Sequence, residues 1–226
     1  MAIKQINGNI FNRKCQTIVN TVNCVGEMGK GIALVHKLRY PNMYEEYREH
    51  CKNKLIKTGT LWLYNKQQNA PWILSFPTKF HWKYPSKIEW VEQGLQKFVE
   101  TYEKKEITSI AFPLLGTHNG GLDTNKVRNL MIKYLEKCHI DIEIYDYNPN
   151  APDDLFSSFK TKWLSLNKET IKSVTGIQPQ YARKITDILD SGEINSIVAL
   201  ANYKGIGEKT LKKAFGYVLN TNTKNI

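Results

Sequence analysis

Between Ile3 and Tyr147, short apolar or β-branched runs alternate with amphipathic stretches, and this alternation restricts the fold more than any other feature of the chain. Strand-like segments are read at Ile3–Ile6, Thr17–Cys24, Thr60–Tyr64, Trp72–Phe76, Thr108–Leu115 and Asp141–Tyr147, whose residues suit a pleated, half-buried surface. Helices are read at Ile32–Leu38, stopped near Pro41, and at Asn42–Lys52, Ser86–Lys104 and Asn125–Cys138. Ser86 followed three positions later by Glu89 has the pattern of a capping box, which predicts Ser86 as the N-cap of its helix. Strands separated by helices imply a layered α/β fold around a mostly parallel or mixed sheet. In such sheets ligands bind at the carboxyl ends of the strands. Three loops at that position are unusual: Asn20–Gly31, Phe76–Ser86 and Gly116–Asp123.

A chain of 226 residues, 41% hydrophobic, has room for a core in one large domain or in a medium domain with a small companion. Its composition excludes disorder, collagen and coiled coil as whole-chain descriptions. The longest apolar runs, such as Ile110–Leu115, fall far short of the ~20 residues of a membrane helix. Met1-Ala2-Ile3-Lys4 leads into a strand, with no signal-peptide stretch behind it. Cys15, Cys24, Cys51 and Cys138 show no CxxC spacing and read as reduced thiols, with neither disulfide nor metal. A cytoplasmic protein is expected, with no membrane partner and no cofactor.

After Tyr147 the chain changes character. Asn148–Asp154 is a run of turn residues that predicts a boundary, giving domains 1–152 and 153–226. Of the net charge of +11, residues 156–226 carry +6 in 71 residues, so charge density is more than doubled in this last third. A basic excess fits a polyanionic partner such as nucleic acid, and equally a merely soluble lysine-rich surface. This region is helical and repeats: Val174–Ile185 and Tyr203–Ala214 superimpose with Gly176 over Gly205, a period of 29. Each copy has an apolar helix, a tight glycine turn, then a helix opening with basic residues.

Gly26-Glu27-Met28-Gly29-Lys30-Gly31 places three glycines in six residues between a strand and a helix. Backbone N–H groups there can approach an anion closely, aided by the positive end of the helix; an ordinary turn has the same composition. Gly116-Thr117-His118-Asn119-Gly120-Gly121 is a second such loop, and a diphosphate held between the two is the economical reading. His118 has the chemistry of a base or a phosphate donor, and equally of a plain loop histidine. Lys79 follows a strand in Phe76-Pro77-Thr78-Lys79-Phe80-His81-Trp82. Desolvation among aromatic residues lowers a lysine pKa and makes the amine a nucleophile, whereas most lysines are solvated charges.

Asn20–Ala33, the Phe76–Trp82 segment, and Pro113–Gly116 with Asn119–Asp123 together resemble the macrodomains of DarG-type DNA ADP-ribosyl glycohydrolases, over roughly residues 1–150. The resemblance implies a three-layer α/β/α macrodomain with a mixed sheet that binds ADP-ribose and cleaves it from DNA bases modified by a DarT-type toxin. It implies that Lys79 and Asn23 are the catalytic residues. Asn9 and Ile10 would lie near the adenine, Asn20 and Asn23 near the distal ribose. Gly26, Met28, Gly29, Lys30 and Gly31, with Gly116, Thr117, His118, Asn119, Gly120 and Gly121, would hold the diphosphate, and Thr78 would line the same site. Asp123 corresponds loosely to an aspartate that related glycohydrolases pair with such a lysine.

The C-terminal repeat resembles tandem helix–hairpin–helix motifs, a small all-α module suited to DNA phosphates. Gly205 and Gly207 would expose backbone donors, and Lys204, Lys209, Lys212 and Lys213 would add charge contacts. The first copy, with Gln178-Pro179 after Gly176-Ile177, lacks the second glycine and one donor, and reads as a structural partner. A protein-docking role suits the same helices, with a DarT-like toxin as the partner. The function expected is therefore a DNA-directed ADP-ribosyl glycohydrolase acting in DNA repair or toxin reversal. Its rivals are a non-catalytic ADP-ribose reader and a protein-directed ADP-ribose ester hydrolase.

Overall fold

The computed structural model describes residues 2–68 and 70–220. Met1, read above as leading into the first strand, and residues 221–226 of the expected second domain lie outside the described residues. The chain divides into two compact units, one running to Met28 and from Asn42 to Asn148, the other comprising Gly29–Pro41 and everything from Pro149 onward.

The first unit is built on β1 (Ile3–Gly8), β2 (Thr17–Val22), β3 (Trp62–Tyr64), β4 (Trp72–Pro77), β5 (Ser109–Pro113) and β6 (Asp141–Tyr147). They form one sheet in the order β1-β6-β5-β2-β4-β3. Every pairing is parallel except β3 against β4, so the sheet is mixed. The helices in this part of the chain are α1 (Gly31–Arg39), which belongs to the second unit, and α2 (Pro41–Lys52), α3 (Ile88–Thr101) and α4 (Thr124–Leu135) of the first. On α3, Val91, Leu95 and Phe98 recur at helical spacing, as do Val127, Met131 and Leu135 on α4. These stripes bury against Val19, Leu74, Ile110, Phe112, Ile142 and Ile144 of the sheet. Alternation along a strand explains the choice: Val19 enters this core while Ile18 and Asn20 face the other side. Gly94 lets α3 come close, because a Cβ there would meet the Phe76 ring at 2.3 Å.

Two helix starts differ from the sequence reading. Helix α3 begins at Ile88 with Lys87 as its N-cap, and no side chain caps it. Ser86 is held outside the helix, because its N–H donates to the Gly120 carbonyl at 2.9 Å. Helix α4 is capped by Asp123, whose carboxylate accepts the Lys126 N–H at 2.8 Å.

The second unit holds α1 with α5 (Phe156–Leu164), α6 (Ile171–Thr175), α7 (Pro179–Ser191), α8 (Ile197–Ala201) and α9 (Glu208–Asn220). The 29-residue offset persists in three dimensions. Ile171 and Leu200, Ile177 and Ile206, Ala182 and Leu211, and Leu189 and Val218 are buried pairwise. Gly176 and Gly205 both adopt the left-handed conformation, φ 68° and 86°, that the two turns require. The copies also embrace each other. Lys213 of the second donates to the Gly176 carbonyl at 2.6 Å, and the Lys184 side chain of the first lies against Gly205.

Helix α1 packs on α8 and α9 within this unit. Lys37 pairs with Glu208 at 2.5 Å, and Arg39 forks onto Asp154 at 2.7 and 3.1 Å. Asp153 is buried and accepts the N–H groups of Leu155, Phe156 and Ile197, starting both α5 and α8. Burial raises its pKa, opposed by the Arg39 charge. No helix among the described residues is long and apolar enough to cross a membrane.

Candidate active site

The carboxyl ends of β1, β2, β4 and β5 carry the residues singled out from the sequence. After β1, Asn9 caps a single 3-10 turn, Ile10–Asn12, its Oδ1 accepting the Phe11 N–H at 3.2 Å. Its Nδ2 is buried without a partner among the described residues, and Ile10 is buried beside it in the chain. Asn20, on β2, is fully buried, with its Nδ2 3.7 Å from the Met28 sulfur and its Oδ1 unpartnered. Two buried amide atoms thus await hydrogen bonds at two strand ends, an arrangement a polar ligand would satisfy.

The first glycine loop is shaped by side chains. The Asn23 carboxamide accepts from the Val25 and Glu27 N–H groups at 3.0 and 3.3 Å and donates to the Glu27 carbonyl at 2.6 Å. The buried Tyr47 hydroxyl of α2 donates to the Asn23 carbonyl at 2.7 Å. Gly26 is left-handed at φ 84°, whereas Gly29 has nothing within 4 Å of where a Cβ would stand. The loop then passes into the second unit, where Lys30 is the N-cap of α1 and the Gly31 N–H donates to Asn202 Oδ1 at 3.2 Å. The Gly31 donor expected for a diphosphate is therefore already engaged.

The second glycine loop is shaped by its own backbone. The N–H groups of Gly120 and Gly121 both turn back to the Thr117 carbonyl, at 3.1 and 2.5 Å, and that of Leu122 to Gly116. Gly116 and Gly121 are left-handed. The buried Thr117 hydroxyl donates to the Leu114 carbonyl at 3.1 Å and lies 3.1 Å from His118 Nδ1. His118 itself is exposed, its ring edge-on to Tyr147 at 6.1 Å.

Lys79 bridges to this loop. It follows β4, after the buried Thr78, whose N–H donates to the Val22 carbonyl at 3.0 Å. The Lys79 Nζ donates to the Asn119 carbonyl at 2.5 Å. Burial lowers its pKa by disfavouring the charged form, and among the described residues no carboxylate pairs with it. Asp123, committed to the α4 N-cap, does not fill that role. Cys24 donates its thiol to the Lys79 carbonyl at 3.4 Å, and burial holds that thiol up at about 11, so it stays protonated. Tyr47 and Ser86 were invisible to the sequence reading as site residues, the first because it sits on a helix stripe, the second because it mimics a cap.

The DNA-contact residues expected at the C-terminus lie together on the second copy of the repeat. Lys204, Gly205, Gly207, Lys209 and Lys212 are exposed around the turn before α9. Lys213 is exposed as well, but its ammonium is spent on the Gly176 carbonyl. A concavity of about 450 Å³ lined by Ile3, Gln5, Leu135 and His139 contains none of the candidate residues.

Residues 19–131 match the family model of the Macro domain. A DNA ADP-ribosyl glycohydrolase of Thermus aquaticus is 36% identical over 149 residues, 65% of this chain and 41% of that protein. The solved macrodomain of Mycobacterium tuberculosis DarG shares 37% identity at a TM-score of 0.62, covering 64% of this chain and 97% of that one. Thermosipho africanus DarTG in complex with ADP-ribose is 38% identical at a TM-score of 0.61, over 65% of this chain and 41% of its own. The chain thus spans about two fifths of the curated relatives it matches.

Proposed function

The chain belongs to the macro domain family, and on that premise we propose that it is a hydrolase removing ADP-ribose from ADP-ribosylated DNA bases. The observation that carries this reading is Lys79: a half-buried amine with a lowered pKa, held by a loop carbonyl and paired with no carboxylate among the described residues. Such an amine is unprotonated at lower pH than an ordinary lysine and so is available as a nucleophile. Its lone pair attacks C1″ of the ribose, the bond to the base breaks, and the base leaves with the bonding pair and takes the proton that the alkylated amine gives up. Water then attacks C1″, releases the lysine, and yields free ADP-ribose. Removal of ADP-ribose from DNA in the named relatives is consistent with this chemistry.

In the same reading the unpartnered amides of Asn9 and Asn20 meet the adenine end and the distal ribose. Gly26, Met28, Gly29 and Lys30, with Gly116, Thr117, His118 and Asn119, approach the diphosphate, and Thr78 lines the site. Gly120 and Gly121 shape their loop instead of donating to the ligand, because their N–H groups are taken. Asn23 acts as a positioning residue for the first loop. We assign catalysis to residues 1–152 and delivery to residues 153–226, with Lys204, Gly205, Gly207, Lys209 and Lys212 contacting DNA phosphates in the manner of a helix–hairpin–helix motif. The setting is cytoplasmic repair of DNA modified by a DarT-type toxin, which is also the protein partner this family context suggests.

The test is release of ADP-ribose from a modified single-stranded oligonucleotide. Lys79→Ala should slow release at least about a thousandfold, roughly 4 kcal/mol of transition-state stabilisation, with ADP-ribose affinity held within about tenfold. In the wild type the rate should rise with pH as Lys79 loses its proton and level off below the ordinary lysine range. Near wild-type release by the variant would remove Lys79 from the chemistry, and tight binding without turnover would make the protein a reader. For the tail, Gly207→Val has open space around it and should weaken DNA binding without unfolding the protein. Lys209→Ala with Lys212→Ala should lower the salt slope by about one per lysine in fluorescence anisotropy.

A further inference from the structure

We propose that the loop Phe80–Tyr84, with the basic groove beside it, is a docking surface for the single strand that flanks the modified base. This rests on the reading that the substrate is ADP-ribose on DNA. Phe80, Trp82 and Tyr84 are 61%, 50% and 62% exposed, three large aromatic side chains in five residues directly after Lys79. A folded domain gains by burying such rings, so their joint exposure beside a reactive lysine calls for a ligand that covers them.

The loop is built to hold the rings outward. The Phe80 carbonyl accepts the Cys24 N–H at 3.0 Å, and the Tyr84 N–H donates to the His81 carbonyl at 3.2 Å. The Lys83 N–H donates to His81 Nδ1 at 3.2 Å, and the His81 and Trp82 rings stack at 5.5 Å. The Lys83 ammonium sits 5.2 Å from the Trp82 ring. A flexible loop would let these side chains collapse; this one is held by five interactions.

Phe80 also forms one wall of an open groove of about 790 Å³ whose other side is basic. Arg48, Lys52, Lys54 and Lys57 line it against Glu27 and Glu49. Arg48 is taken by Glu45 and Lys52 by Glu49, leaving Lys54 and Lys57 with no ion pair among the described residues. Lys54 closes α2 in the left-handed region, φ 57°, a position glycine fills at lower conformational cost.

Aromatic rings alternating with lysines match the two needs of an unpaired strand, faces for its bases and cations for its phosphates. A duplex hides its base faces and would not use the rings. A protein-docking patch would be continuous and poor in lysine, whereas here Lys79-Phe80-His81-Trp82-Lys83-Tyr84 interleaves the two kinds.

The test is photocrosslinking of the full chain to an unmodified single strand carrying 5-iodouracil, followed by peptide mapping. Crosslinks are expected on Phe80, Trp82 or Tyr84, competed by excess single strand and much less by duplex. In the release assay, Phe80→Ala with Trp82→Ala should raise KM for a modified oligonucleotide at least tenfold, with kcat and affinity for free ADP-ribose within twofold. Crosslinks confined to residues 153–226, equal competition by duplex, or an unchanged KM would each overturn the proposal, and a bare loop would point to a protein occupant. Crosslinks to the loop in a protein that releases no ADP-ribose would support the docking surface while sinking the glycohydrolase reading.

Discussion

The two glycine-rich loops have the same composition, three glycines in six residues, and are held by opposite means. In the first, side chains dictate the backbone: the Asn23 carboxamide takes three bonds from or to the loop, and Tyr47 fixes Asn23. In the second, the backbone closes on itself, and the space at Gly120 is gone; a Cβ there would stand 2.1 Å from the Gly116 carbonyl oxygen. Gly29, by contrast, has nothing within 4 Å of where a Cβ would stand. A glycine that the fold requires and a glycine that the fold can spare look alike in sequence. The spared one leaves the backbone open to close approach, which is what the proposed diphosphate site needs of the first loop.

Substitution at Gly120 should break the second loop most severely. Gly120→Val forces the Gly116 carbonyl and Ser86 apart, and thermal unfolding should show about 3 kcal/mol of lost stability, an overpacking cost. ADP-ribose binding would fall with it, so this variant alone says nothing about the ligand. Gly29→Val sharpens the contrast: an unchanged melting temperature, with ADP-ribose affinity in calorimetry reduced at least tenfold, about 1.4 kcal/mol. If Gly29→Val bound ADP-ribose normally, the first loop would not approach the diphosphate and the comparison would fail. The smallest effect should come from Tyr47→Phe, which removes one buried hydroxyl from the Asn23 carbonyl and should cost about 1 kcal/mol. That loss should appear in unfolding, with a modest weakening of ADP-ribose binding through the loosened loop.

The strands were legible because their residues declare themselves locally. Asp141–Tyr147 and Trp72–Phe76 carry the β-branched and aromatic side chains a pleated surface wants, and their bounds stand within a residue of β6 and β4. The position of Lys79 was legible for the same reason, since a strand end in a parallel sheet is where ligands bind. Ser86 was misread because the capping-box pattern is a preference, and a backbone partner on a distant loop outweighed it. The turn residues Asp153 and Asp154 gave no hint that their carboxylates would start two helices and hold Arg39. Helix α1 reads in sequence as part of the first alternating region, yet it packs with α8 and α9.

The repeat shows the division most clearly. A spacing of 29 residues, with glycine over glycine and apolar over apolar, is enough to specify two copies of one helical hairpin, because backbone handedness and side-chain period act within a few positions. The use of Lys213 was not specified that way: beside Lys212 in the sequence it looks like a second phosphate contact, and in the structure its ammonium caps the other copy's turn. Likewise Lys79 found its carbonyl on Asn119, 40 residues away. Local propensity decides what an element is, and the sequence carried that much by itself. Which donor meets which acceptor is decided only when distant segments are packed together, because a polar side chain takes whichever partner burial leaves within about 3 Å.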